Sequence, residues 1–224
     1  MGWNLINSVR GVVMINSVSL MGAEILDESE QTALDKATLQ AQSYLSAIAS
    51  DADFLTKVTL VFGDGFDAEK LERLRQQWAV SNFGAIPAIE IRSSSEINGA
   101  NGAFSADTNT IYLAQEYIAQ NNSNPQAIAD VLLEEIGHSV DSQINVSDAP
   151  GDEGAIFSAF AQGVQLDEPT LQTLKAEDDS VVLTLDGRVI QIEQADNDVT
   201  ISGKILWTDS VGNKHPVRDA TVQI

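Results

Sequence analysis

Asn124-Pro-Gln-Ala-Ile-Ala-Asp-Val-Leu-Leu-Glu-Glu-Ile-Gly-His-Ser-Val-Asp-Ser-Gln-Ile144, followed after a short turn by Glu153-Gly-Ala-Ile-Phe-Ser-Ala-Phe160, carries the strongest structural signals in the chain. Asn at a cap position and Pro in the first turn announce a helix. Ile128, Val131, Leu132, Ile136 and Val140 then supply an apolar stripe at helical spacing, which predicts a helix to about Ile144. Asp148-Ala-Pro-Gly-Asp152 reads as a turn, and Glu153 to Gln162 as another helix.

On the first helix Glu134 and His138 are four apart, so they share a face within reach of one ion, and Glu135 sits one position round. The pattern is that of a His-Glu-x-x-His metal motif with Glu in place of the first His. Asp141, one turn beyond His138, is placed to hold the imidazole as a supporting carboxylate. Gly137 costs about 1 kcal/mol relative to Ala inside a helix, which a closely approaching strand would explain. Glu153 opens the next helix where a third ligand is needed, although Asp152 and Glu153 also complement that helix's dipole. A satisfied histidine among solvated carboxylates is the competing reading. Against it, no Lys or Arg occurs between Ser93 and Leu174 while twelve Asp and Glu do, and a bound cation would supply the missing charge.

Outward from this centre, Glu24 to Ala49 has helical periodicity, as one long helix or two shorter ones, and Asp67 to Val80 has it again. Lys57-Val-Thr-Leu-Val-Phe62 alternates and is β-branched, which predicts a strand; Pro87 to Arg92 and Thr110 to Ala114 predict two more. Ser93 to Ser105, rich in Ser, Asn and Gly, reads as a loop. Val181 to Ile192 is a hairpin turning at Asp186-Gly187, followed by a polar link from Gln194 to Asp198. Val199 to Ile224 alternates like strands, turns near Asp209 to Asn213, and closes no sheet.

The chain has 224 residues and a formal net charge of -21, enough length for one full domain and a smaller one. Such acidity repels phosphate backbones and anionic lipid, so nucleic acid is not an expected partner. It suits cation binding, a calcium-rich or salty medium, or simply a soluble surface. There is no cysteine, hence no disulfide framework or thiolate site. The apolar run Gly11-Val-Val-Met-Ile15 is broken by Asn16, Ser17 and Ser19; it reads neither as a secretion signal nor as a membrane insertion.

Gly102 to Leu113, Leu132 to Asp141 and Glu153 to Phe160, in that order, resemble the minimal core of gluzincin-type metallopeptidases. The resemblance implies an α+β fold with a small mixed sheet packed on an active-site helix, followed by a β-hairpin and a truncated β-sandwich. It implies zinc held by His138, Glu153 and Glu134, with Glu135 as general base; Glu134 in place of His adds a negative charge that also suits a harder ion such as calcium or manganese. The oxyanion partner is unassigned: Tyr112 and Tyr117 are candidates, and each also reads as a packed or rim tyrosine. The resemblance also implies an edge strand, Thr110, Ile111, Tyr112 and Leu113, that binds a peptide or protein substrate. Ile86 to Gly163 with the hairpin is also similar to an N-terminal module of large acidic cyanobacterial proteins with calcium-binding repeats. Val199 to Lys204 and His215 to Val222 resemble the first strands of carboxypeptidase-regulatory-like sandwiches. The expected organisation is therefore 1–195 as a zincin-like domain, with a core of about 54–163, and 198–224 as an incomplete β domain of a longer extracellular or cell-surface chain. Two functions follow: metal-dependent peptide hydrolysis, or a non-catalytic calcium-responsive adhesion module on the same scaffold.

Overall fold

A computed structural model describes residues 13–15, 18–147, 149–195, 206–208 and 214–216. Two short strands, β1 (Val13–Ile15) and β2 (Val18–Met21), lead into α1 (Glu28–Ala49). Asp27 begins α1 with a capping box: its carboxylate accepts from Ser29 and Glu30 N–H, and Glu30 accepts from Asp27 N–H. Helices α2 (Phe54–Phe62) and α3 (Ala68–Ala79) follow, then strands β3 (Ala88–Arg92), β4 (Gly102–Ser105) and β5 (Thr110–Ala114). The chain continues through α4 (Gln115–Gln120), α5 (Pro125–Ile144), α6 (Glu153–Ala161) and α7 (Glu168–Leu174). A hairpin of β6 (Ser180–Leu185) and β7 (Arg188–Ala195) comes next. The short strands β8 (Leu206–Thr208) and β9 (Lys214–Pro216) form a separate antiparallel pair.

The fold is α+β, built on a seven-stranded mixed sheet in the order β1-β2-β3-β5-β4-β7-β6. Successive strand residues face opposite sides, so β5 sends Ile111 and Leu113 into the main helical core and Tyr112 and Ala114 into a smaller cluster with Leu185, Ile190 and Ile192. Leu34, Leu45, Ile128, Leu132, Ile136 and Phe157 anchor α1, α5 and α6 in that main core.

Helices α1, α3, α5 and α6 and the hairpin lie where the sequence places them. The expected strand at Lys57 to Phe62 is instead α2. Its buried residues are Phe54, Val58, Val61 and Phe62, a 3.6-residue pattern that becomes visible only when Phe54 is included. The expected loop from Ser93 to Ser105 ends in a true strand, β4, all four residues of which are buried. The polar link begins later than its composition implies, because Gln194 and Ala195 belong to β7. Asn124 stands at the N-cap of α5 but makes no side-chain cap bond there. Most of 198–224, including the turn near Asp209 to Asn213, lies outside the described residues.

Candidate metal centre

His138 lies fully buried where α5 crosses α6, and two glycines make that crossing possible. A Cβ on Gly137 would lie 2.8 Å from Gly154 Cα, and one on Gly154 would lie 2.4 Å from His138 Nε2. Gly137 is therefore explained by a helix, not by the strand expected from sequence. The close strand comes elsewhere: a Cβ on Gly102 of β4 would lie 2.7 Å from Glu135 Oε1. Small residues on both sides thus clamp His138 and Glu135 between helix and sheet.

Carboxylates surround the imidazole. Glu153 Oε1 lies 2.9 Å and Glu193 Oε2 3.3 Å from Nδ1. On the other side Asp179 Oδ2 lies 3.3 Å and Asp152 Oδ1 4.0 Å from Nε2. Among the described residues, two sets bring ligand atoms within 4.8 Å of one another: Glu134, His138 and Asp152, and His138, Glu153 and Glu193. His138 is common to both, while Glu134 and Glu153, expected to share one ion, fall in different sets. Asp152 caps α6 by accepting from Ala155 N–H at 2.7 Å, so its capping role and its proximity to His138 coexist.

Three buried polar atoms here lack a hydrogen-bond partner: His138 Nε2, Asp179 Oδ2 and Glu135 Oε2. Burial opposes a charged imidazolium, but the Glu153 hydrogen bond and the charges of Glu153, Glu135 and Asp179 outweigh it and hold the His138 pKa well above the ordinary value. Burial pushes Glu135 well above the usual carboxylate range, against the pull of His138. Burial, with Asp152 and Glu153 adding repulsion, pushes Asp179 up to about 7. Crowded, largely buried carboxylates around an imidazole whose Nε2 lacks a hydrogen-bond partner are a donor set that fits a divalent cation.

Other expected roles change. Asp141 accepts from Asn145 Nδ2 at 2.6 Å and Ala149 N–H at 3.2 Å, so it ties down the chain after α5, and Glu153 holds the imidazole instead. Thr110, Ile111, Tyr112 and Leu113 do not form an edge: β5 is paired with β3 on one side and β4 on the other, leaving no free backbone for a substrate strand. Tyr112 belongs to the cluster on the far face of the sheet, where its hydroxyl meets Thr108, and the Tyr117 hydroxyl donates to Ala127 O at 3.2 Å. Sequence reasoning missed Asp179 and Glu193. The signal available was weak: Glu193 is the charge on the β7 face opposite Ile190 and Ile192, and Asp179 ends an acidic turn. A surface hollow of about 320 Å³, lined by Lys70, Arg73, Leu74, Gln77, Ala85 and Gln143, includes none of these residues.

No family model, curated protein or solved structure matches the chain. Among the described residues no helix is long and apolar enough to cross a membrane.

Proposed function

We propose that the chain is a zincin-like, metal-dependent peptidase domain centred on His138. The observation that supports this most is the fully buried imidazole whose Nε2 has no hydrogen-bond partner and faces Asp179 and Asp152, with Glu134 grouped beside Asp152 and with Glu153 and Glu193 at Nδ1. In this reading His138, Glu134 and Asp152 hold a divalent ion, and Glu153 fixes the ring by accepting from Nδ1–H, as supporting carboxylates do at metal-bound histidines. Zinc suits the imidazole; manganese or calcium suits the carboxylates. The bound ion would polarise a water molecule, and a carboxylate-rich shell makes it a weaker Lewis acid than a shell with two histidines. Glu135, one residue from Glu134 and buried, is the base that would take the proton. An extracellular or cell-surface setting belongs to the same proposal, supported by the acidic composition and the resemblance given above.

One observation favours a second reading, a non-catalytic module that binds calcium or another ion for stability. The sheet is closed over the centre by β7, and closed sites are characteristic of structural metals. Metal analysis of the purified chain with a peptide-cleavage assay separates the two. Tightly held zinc or manganese with cleavage lost in Glu135→Gln supports the peptidase. No transition metal, no cleavage and a calcium-dependent gain in stability would replace it with the second reading.

A further inference from the structure

We propose that the hollow between α3 and α5 is a second binding site, separate from the metal centre, for a small organic carboxylate with an apolar body and a hydroxyl at its far end. The hollow measures about 320 Å³, within the range of small-ligand sites, roughly 300–1,000 Å³. Lys70, Arg73, Leu74 and Gln77 stand at i, i+3, i+4 and i+7 on α3 and so share one helical face. Gln143 of α5 and Ala85, in the turn before β3, complete the wall. Backbone bonds hold this frame. Asp67 N–H donates to Ile144 O at 2.8 Å, tying the start of α3 to the end of α5, and Ile86 N–H donates to Phe83 O at 3.0 Å.

Charge selects one end of the ligand. The chain carries 33 acidic residues against 12 Lys and Arg, yet two cations and no carboxylate line the hollow. Arg73 meets Glu69 at 3.9 Å with both side chains largely exposed, and the exposed Asp67 feels the charges of Lys70 and Arg73. Such solvated pairs are weak, so the ammonium and guanidinium can turn to a carboxylate at the rim. The interior selects the other end. Leu74, Ala85 and Gln143 also line an inner cavity of about 10 Å³, walled by Trp78, Ile136 and Val140. The hollow therefore continues inward to an aliphatic and aromatic floor. Trp78 is 2% exposed, and its Nε1 is buried without a hydrogen-bond partner. An indole N–H left without an acceptor in the interior is costly. The cavity has space for about one oxygen atom, the lower limit for a water being about 10–15 Å³. A ligand hydroxyl placed there accepts from Trp78, while Leu74 and Ala85 cover the apolar body.

The test titrates the full chain with 4-hydroxybenzoate, benzoate, acetate and inorganic phosphate, each to about 10 mM at constant ionic strength. The readout is the indole N–H resonance of Trp78, assigned by its absence in Trp78→Phe. The expected result is a saturable shift with 4-hydroxybenzoate, binding about tenfold tighter than benzoate and tighter still than acetate or phosphate. The double variant Lys70→Gln/Arg73→Gln, its unfolding midpoint unchanged, should bind about tenfold more weakly. Trp78→Phe, followed by calorimetry, should lose the advantage of 4-hydroxybenzoate over benzoate. Glu134→Gln should bind as the unaltered chain does, which keeps this site apart from the metal centre. No saturable shift with any of the four overturns the proposal. Phosphate binding as tightly as 4-hydroxybenzoate reduces the hollow to a cationic surface patch and overturns it too. Equal affinity for benzoate and 4-hydroxybenzoate, with the Trp78 signal unmoved, overturns the role given to the inner cavity.

Discussion

At the scale of single residues, the centre is a problem of charge held without water. Asp179 is shifted up to about 7, and Glu135 and His138 are also raised. A raised folded-state pKa contributes stability that is complete below the unfolded value and lost as pH rises through the folded one. All three groups act in that direction, so the metal-free chain should unfold at a lower urea concentration at pH 8 than at pH 5. The lowered carboxylates, such as Asp27 and Asp186, titrate below this window and do not offset the loss. A midpoint that is flat or rises between those pH values would contradict the charge assignment. Gly154 gives a steric test. A Cβ placed 2.4 Å from His138 Nε2 must displace the ring or α6, so Gly154→Ala should cost about 1–3 kcal/mol in denaturant unfolding and weaken metal binding.

At the scale of elements, α6 links the centre to the core. Phe157, almost fully buried, meets Phe62 of α2, Trp78 of α3 and Phe160, with ring centroids 5.8, 6.3 and 6.2 Å away. Phe157→Ala should therefore destabilise the chain by about 3–5 kcal/mol, measured by equilibrium unfolding, even though the residue is no ligand. The same contacts explain why Lys57 to Phe62 is helical. The segment's alternation is genuine, but Phe54, Val58, Val61 and Phe62 present one helical face to the ring cluster, and that burial outweighs β-branched propensity. Strand β5 shows the converse limit. Its sequence reads plainly as a strand, yet whether a strand lies at an edge depends on which other segments pair with it.

At the scale of the whole molecule, the centre draws on α5, α6 and the chain leading into and through the hairpin, so an ion bound there ties distant segments together. Zinc or manganese at about 100-fold above its dissociation constant should raise unfolding stability by about 2.7 kcal/mol, read as a shift in the denaturation midpoint that a chelator reverses. No shift with zinc, manganese or calcium would remove the metal from the description. The α+β class, implied by the resemblance, is what the sheet and its helices form; local sequence pattern alone placed α5 with its Glu134, Glu135 and His138, the helix opening at Glu153, and the hairpin. These rest on periodicity, turn chemistry and i,i+4 spacing, which act over a few neighbouring residues. It took the folded chain to put Glu153 and Glu134 in different ligand groups with His138, to bring Asp152, Asp179 and Glu193 to the imidazole, and to lay β7 over Glu135. Those facts depend on strand order and on how closely Gly102, Gly137 and Gly154 let backbones approach. They come from pairings between segments far apart in the chain, which no local pattern encodes.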